Sequence, residues 1–455
     1  MSDAGLPPGA ERELATFLER WLGREEVPGI SLAVFDADGL LHAAGLGARD
    51  VAAGDPATPD TRYAVGSLAK PPTAIAVLQL VGNGTVSLSD SVDDHLPRPV
   101  LADAPGDPVT VGDLLSHSSG MPRDFYALRE NLASREDRLR HVEAAADQRR
   151  TDRERYAYYN SGFVLLGELV ETVDGRPHPE YVEEEVLDPL GMADSGFDTS
   201  LLDAEDAMTG YPPDDDEFQP AGNVAREIEQ AGASGGFVST ATDLARLGRW
   251  VLNGGELDGM RPLDPSLVAE MTDYQSPILE TTGGDRAGYG YGIELTDFLG
   301  ETLLEHPGNL FVAGGYLGCL PHRGLGVALA YNSTGFPWTS VGRGALAVAC
   351  GEDPVDSVRM LAVTEAVDAV TGTYTSHNDV TSATVEEGPL GTVRVDPPGP
   401  VGPFTAVPDE VAGPNSTFSV GRGDGYHWEL AFDDTDEGIE LLLTGGNGMT
   451  VLRKE

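Results

Sequence analysis

Residues Tyr63-Ala-Val-Gly-Ser67-Leu-Ala-Lys70 lead into Ala74-Ile-Ala-Val-Leu-Gln-Leu-Val81, a run apolar almost all round. A helix with no polar face belongs in a protein interior, so the rest of the chain has to wrap around this one. Its entrance carries a serine and a lysine three residues apart, positions that share one face of a helix. A serine hydroxyl is a weak nucleophile at neutral pH and needs a base within hydrogen-bond reach. A lysine desolvated there has its pKa drawn down toward the range in which it accepts a proton. Lysine otherwise occurs only at Lys454, the remaining cationic residues being arginine. The plainer reading is that Ser67 caps a core helix and Lys70 pairs with a carboxylate. Pro71-Pro72 constrain either reading. Proline is tolerated in the first turn of a helix and costly further in, so the helix starts very near Ser67 or is distorted there.

The chain of 455 residues is long enough for two or three domains. With 75 acidic against 29 basic residues its net charge is -46, yet 40% of it is hydrophobic, which argues against disorder. Such an excess of acid resembles the proteomes of salt-adapted organisms, and self-repulsion of this kind is screened at molar salt, where the Debye length is roughly 3 Å. A halophile protein is expected. There is no basic stripe to neutralise phosphates, so nucleic acid is excluded as a partner. The first residues, Met1-Ser-Asp-Ala-Gly-Leu-Pro-Pro, lack a basic segment followed by an apolar one. No run approaches the length of a membrane span, and a cytoplasmic location is expected. Cys319 and Cys350 have no metal-type spacing and are expected as reduced thiols; no metal or cofactor is expected.

Leu14, Phe17, Leu18 and Leu22 at helical spacing predict an amphipathic helix over residues 10–24. Gly29–Phe35 and Leu40–Leu46, joined by Asp-Ala-Asp-Gly, predict a hairpin. Val109–Pro122 predicts a helix stopped by Gly120 and Pro122, with His117 holding its Ser-Ser-Gly loop by hydrogen bonds. Residues 127–155 predict a charged, helical surface segment, and Val164–Val173 an apolar helix. Between them Tyr158 and Asn160 stand two apart in a turn, from which both side chains can reach one cleft. Tyrosine there can bond the nucleophile or relay a proton; an aromatic core plug beside an Asn turn is the alternative. Pro212–Glu217 predicts a solvated acidic loop, and Gly235-Gly236 a turn before a helix capped by Thr240 or Thr242. Tyr289–Leu295, Thr302–Gly308, Phe311–Leu320 and Leu325–Asn332 predict consecutive strands that join the first hairpin in one antiparallel sheet. A small-residue helix at 340–350 follows. From about residue 364 short alternating segments predict a separate antiparallel β domain, a sandwich or small barrel, interrupted by a Pro/Gly-rich stretch at 397–414.

Taken together, the first 350 or so residues resemble the serine β-lactamase/penicillin-binding-protein superfamily, in its class C β-lactamase, D-aminopeptidase and esterase branch. Its S-x-x-K motif falls on Ser67 and Lys70, its Y-x-N on Tyr158 and Asn160, and its K-T-G or H-x-G on His306 and Gly308. Leu114–Pro122 and Ser239–Ala245 also match stretches of that branch. The segment beginning Gly372-Thr-Tyr374 is similar to the lipocalin-like domain that follows some of these peptidases. The resemblance implies an α+β fold. Residues 1–355 would form a β-lactamase/transpeptidase-like domain, an antiparallel sheet flanked by helices, and residues 364–455 a small antiparallel β domain.

The chemistry implied is a two-step acyl transfer on an amide or ester of a small substrate or short peptide. Ser67 would attack, Lys70 with Tyr158 would take its proton, and backbone N–H groups of Ser67 and Asn309 would hold the oxyanion. Asn160 would orient the substrate; His306, with Gly308, would bind its carboxylate side or tune Tyr158. Histidine in place of lysine weakens carboxylate recognition and makes it pH-dependent, which favours a peptidase or esterase over a true β-lactamase or penicillin-binding protein. An idle binding protein of the same fold is a further alternative. The β domain could cap the cleft, bind a partner or form a homo-oligomer.

Overall fold

The serine-bearing stretch is two pieces of helix. In a computed structural model of the chain, which describes residues 5–123, 134–151, 156–213, 218–222, 224–280, 286–335, 337–398, 402–421, 427–445 and 448–455, Ser67–Ala69 form one 3-10 turn. The α-helix proper runs Lys70–Gly82, so Pro71 and Pro72 fall in its first turn. There a missing N–H costs nothing, because the first backbone donors of a helix have no partner within it. Ten of its residues are buried, as the unbroken apolar run requires.

Among the described residues eleven strands lie in the first of two compact units, Met1–Gly351. They are β1 (Gly29–Asp36), β2 (Leu40–Asp50), β3 (Asp55–Pro56), β4 (Tyr63–Gly66), β5 (Phe237–Ser239) and β6 (Ser276–Glu280), then β7 (Arg286–Tyr289), β8 (Glu294–Phe298), β9 (Glu301–Leu310), β10 (Ala313–Leu320) and β11 (Leu325–Tyr331). Nine of them form one sheet in the order β3-β2-β1-β11-β10-β9-β8-β7-β6. The first hairpin joins the late strands through β1 and β11, with Ile30 opposite Tyr331 and Asp36 opposite Leu325. Asn332 straps this junction, accepting from the Gly29 amide at 2.8 Å and donating to the Ala48 carbonyl at 3.0 Å.

Successive residues of a strand face opposite sides, and β10 shows both sides in use. The helix Ala241–Leu252 packs on the Leu317 face, where a Cβ on Gly248 would lie 3.1 Å from Leu317 and 2.2 Å from Phe35. The helix Trp338–Ala349 packs on the Tyr316 face, where a Cβ on Gly342 would lie 2.2 Å from the Tyr316 ring. Both contacts need a glycine. The buried helices Lys70–Gly82 and Asn160–Asp174 pack together beside the sheet, and the short pair β4-β5 delivers the chain to Ser67.

Several local expectations shift. Tyr289–Leu295 is a turn between β7 and β8 rather than one strand: Gly290 N–H bonds the Ile293 carbonyl and Gly292 has φ 78°, which no extended strand accommodates. The helix expected over Val109–Pro122 is short, Val111–Leu115, capped by Thr110 and Asp113 in a reciprocal pair. Within the charged segment a helix spans Arg135–Ala145; residues 127–133 and 152–155 lie outside the described residues, as do residues 214–217 of the acidic loop. Thr240 caps the helix after β5 through the Asp243 amide. Cys319 is buried on β10 and Cys350 follows the helix Trp338–Ala349 as its cap.

Among the described residues the second unit, Glu352–Glu455, holds two helices, Pro354–Ser357 and Arg359–Val370, and eight strands: β12 (Gly372–Thr375), β13 (Ser382–Glu387), β14 (Val393–Asp396), β15 (Phe404–Glu410), β16 (Thr417–Gly421), β17 (His427–Thr435), β18 (Gly438–Gly445) and β19 (Gly448–Lys454). They close into an antiparallel barrel, β12 meeting β19 at Tyr374 and Lys454. Closure removes the open edges that make a sheet prone to aggregate. Tyr374, Val385, Val395, Phe418, Leu430, Phe432, Leu441 and Leu452 fill its core. Strand β15 lies within the Pro/Gly-rich stretch; Pro408 is accommodated at a register shift against β16.

Candidate active site

Strand β4 ends on Gly66, whose φ of 57° and ψ of -129° swing the chain off the strand and into the Ser67 turn. A Cβ there would lie 2.6 Å from the Asn309 backbone nitrogen. Gly308 meets the turn from the other side, where a Cβ would lie 1.9 Å from the Val65 carbonyl oxygen and 3.1 Å from the Ser67 nitrogen. Two bare backbones are therefore pressed together, and the amides of Ser67 and Asn309 lie along that seam. The Tyr331 hydroxyl secures it by donating to the Gly308 carbonyl at 3.0 Å.

Lys70 is fully buried, while Ser67 keeps part of its surface exposed. Lys70 Nζ donates to Ser67 Oγ at 3.0 Å, to Asn160 Oδ1 at 2.9 Å and to the Ser234 carbonyl at 2.6 Å. An ammonium has three protons, and here are three acceptors. With one proton gone, two remain for the carbonyl oxygens and a lone pair faces the Ser67 hydroxyl. The same geometry thus serves both protonation states.

Tyr158 precedes the helix Asn160–Asp174, and Asn160 is its first residue. Lys70 Nζ lies 4.7 Å from the centre of the Tyr158 ring. Burial pushes the Tyr158 hydroxyl far above its usual range; its hydrogen bond with Ser67 pulls the other way, Glu294 adds to the rise and Arg123 opposes it. The group is a phenol at neutral pH.

His306 on β9 is buried at 1% exposure, and both its nitrogens are engaged. Nδ1 donates to the Pro307 carbonyl at 2.7 Å, so Nε2 is bare and accepts from the Tyr289 hydroxyl at 2.9 Å. Burial, then the charge of Lys70, hold its pKa down to about 3, so the ring is neutral. Behind β9, buried Glu305 accepts from Arg343, from the Tyr316 hydroxyl at 2.7 Å and from Thr296 Oγ1 at 3.0 Å, which ties down the strand on its reverse face.

His117 also converges on this region. It sits at φ 55°, its carbonyl accepts the Ala157 N–H at 2.9 Å and its Nδ1 accepts the Tyr159 N–H at 3.2 Å. Its ring centre is 4.3 Å from that of Tyr158 and 4.7 Å from that of Tyr289. Among the described residues its buried Nε2 has no hydrogen-bond partner; an unmet buried donor costs about 1–3 kcal/mol.

Ser67, Lys70, Tyr158 and Asn160 come together at one point, with Gly308 and Asn309 against the serine turn. Three contributors escaped sequence reasoning. The Ser234 carbonyl is one; its signal was Gly235-Gly236, where a Cβ on Gly236 would lie 2.4 Å from the Ile228 carbonyl oxygen. Tyr289 is another, reached through His306. Glu294 is the third, opposite Glu305 in register and pushed up to about 8 by burial first, then by Glu305, with Arg343 and Lys70 opposing. Among the described residues no cluster is suited to a metal, and no helix is long and apolar enough to cross a membrane.

Comparison with known proteins gives two family matches. The Beta-lactamase family model matches residues 12–349, and a model described as the Pab87 octamerisation domain matches residues 354–444. Penicillin-binding protein 4 of Amycolatopsis lactamdurans is 33% identical over 312 residues, covering 67% of this chain and 81% of that protein. The octameric penicillin-binding protein homologue from Pyrococcus abyssi aligns with a TM-score of 0.86 and 27% identity, over 97% of this chain and 99% of that one. EstCE1, a hydrolase with promiscuous acyltransferase activity, aligns with a TM-score of 0.64 and 20% identity over 75% of this chain and 99% of its own, a likeness of fold.

Proposed function

The chain belongs to the beta-lactamase family, and on that premise we propose that it is a serine hydrolase that cleaves amide or ester bonds of small substrates through an acyl-enzyme on Ser67. The observation that carries this reading is buried Lys70, 3.0 Å from Ser67 Oγ and backed by two carbonyl-type acceptors. In the first step Lys70 Nζ takes the hydroxyl proton as Ser67 Oγ bonds to the substrate carbonyl carbon. The Ser67 and Asn309 N–H groups face the developing oxyanion; losing one such donor costs on the order of 10²–10³ in rate. Tyr158, a phenol at neutral pH hydrogen-bonded to Ser67, keeps the serine hydroxyl turned to Lys70 in this step. It passes a proton to the leaving group and is restored when water attacks the acyl-enzyme, while Lys70 returns its proton to Ser67 Oγ as the acid departs. Asn160 holds both Lys70 and the substrate.

Neutral His306 offers no fixed cation for a substrate carboxylate, which supports peptidase or esterase action over β-lactam hydrolysis. The similarity to a penicillin-binding protein keeps penicillin recognition as the second reading. We assign the barrel to self-association of copies of this chain, on its match to an octamerisation domain, and the excess of acid to a salt-rich setting.

The test is intact-protein mass spectrometry at molar salt after exposure to a fluorophosphonate and, separately, to a β-lactam. Labelling of Ser67 by the fluorophosphonate, lost in Ser67→Ala and Lys70→Ala proteins that keep their circular dichroism, is the expected result. Labelling by both reagents supports the second reading. A folded protein labelled by neither is an idle binder.

A further inference from the structure

We infer that His117 is a positioning residue, clasping the backbone on either side of Tyr158 and laying its ring against the Tyr158 ring so that the phenol stays on Ser67. The inference rests on the reading of Ser67, Lys70 and Tyr158 as nucleophile, base and proton relay.

Residues 156–159 belong to no helix or strand, so no ladder of backbone bonds holds Tyr158 in place. Instead the N–H groups of Ala157 and Tyr159, its two neighbours, both end on His117, one on the carbonyl at 2.9 Å and one on Nδ1 at 3.2 Å. One residue can reach both only because the chain bends at His117 itself, at a φ of 55°, directly after the helix Val111–Leu115 and its cap. Since Nδ1 accepts, the proton of the neutral ring sits on Nε2. That nitrogen is buried among Tyr156, Tyr158, Phe163 and Tyr289, and among the described residues it finds no acceptor. Asparagine would supply an equivalent acceptor and suits the same φ, with no second nitrogen to bury unpaired. What it would lack is the ring, which touches Tyr158 most closely of the four, 4.3 Å between centres.

Fluorophosphonate inactivation of the full-length protein at molar salt, resolved into kinact and KI, tests this without a known substrate. His117→Ala should lower kinact by about a hundredfold and leave KI within about twofold, the scale expected when a reacting group is misplaced by an ångström. His117→Asn keeps the acceptor and loses the ring, so it should recover about tenfold of that loss. In a Tyr158→Phe background neither substitution should matter further. A wild-type kinact in His117→Ala, or the same loss with and without the Tyr158 hydroxyl, overturns the inference. Should His117→Ala fail to fold, His117→Asn in the two backgrounds decides it alone. Full activity in Tyr158→Phe itself would instead remove the relay role on which the inference stands.

Discussion

Three imidazoles are buried in the first unit: His117, His178 and His306. Burial holds His178 at about 3 and His306 at about 3, and drives His117 well below the ordinary imidazole value of 6.5. Once unfolded, each ring binds a proton below about 6.5 that the folded chain refuses. A folded pKa that is depressed gives stability that is present above 6.5 and lost as pH falls toward 3. Each ring removes up to roughly 1.4 kcal/mol per pH unit across that window. The unfolding temperature at molar salt should therefore drop steadily below pH 6.5, and less steeply in His178→Gln. A flat profile down to pH 4 would contradict these burials. The neutrality of His306 also fixes the direction of its hydrogen bond with Tyr289, and so belongs to the site as much as to stability.

The seam between the serine turn and β9 depends on two glycines, so an added methyl is the direct probe of it. Gly308→Ala places a carbon on the Val65 carbonyl and beside the Ser67 amide, and backbone cannot rotate away as a side chain can. Overpacking of this kind costs about 1–3 kcal/mol, and labelling of Ser67 should slow at least about tenfold as the oxyanion donors part. Unchanged melting and labelling would show that the two backbones are not in contact. At this scale much could be read beforehand. The Ser67–Lys70 pair announced itself because both residues lie on one short stretch, and the long apolar runs marked the buried helices. The β7–β8 turn was hidden because Tyr289-Gly-Tyr-Gly-Ile alternates as a strand would, while its glycines take a turn's dihedrals. Strand β15 was hidden by Pro408 and the prolines that flank it, and β6 by its shortness. Tyr289 and Glu294 left no local trace, since each serves the site through another residue, and the Ser234 carbonyl was marked only by the neighbouring Gly235-Gly236.

A net charge of -46 is carried by the whole molecule, and surface charges repel over about 10 Å at 0.1 M salt against 3 Å at 1 M. Circular dichroism and light scattering along a dilution series should show a folded assembly at molar salt that dissociates and then loosens as salt is withdrawn. A chain that is monomeric at molar salt would remove the role given to the barrel, and one unchanged in dilute buffer the salt-adapted reading. The pairing of β1 with β11 has a consequence of another kind. The ribosome makes Ser67 and Lys70 early, and β1 can pair with β2 at once, yet its other edge waits until β11 has been added, and the serine turn waits for Gly308 and Asn309. Contacts so far apart in sequence form late. A nascent polypeptide thus carries Ser67 and Lys70 for most of translation without the Gly308–Asn309 backbone against the serine turn, and the candidate site is complete only when the sheet closes near the end of the unit.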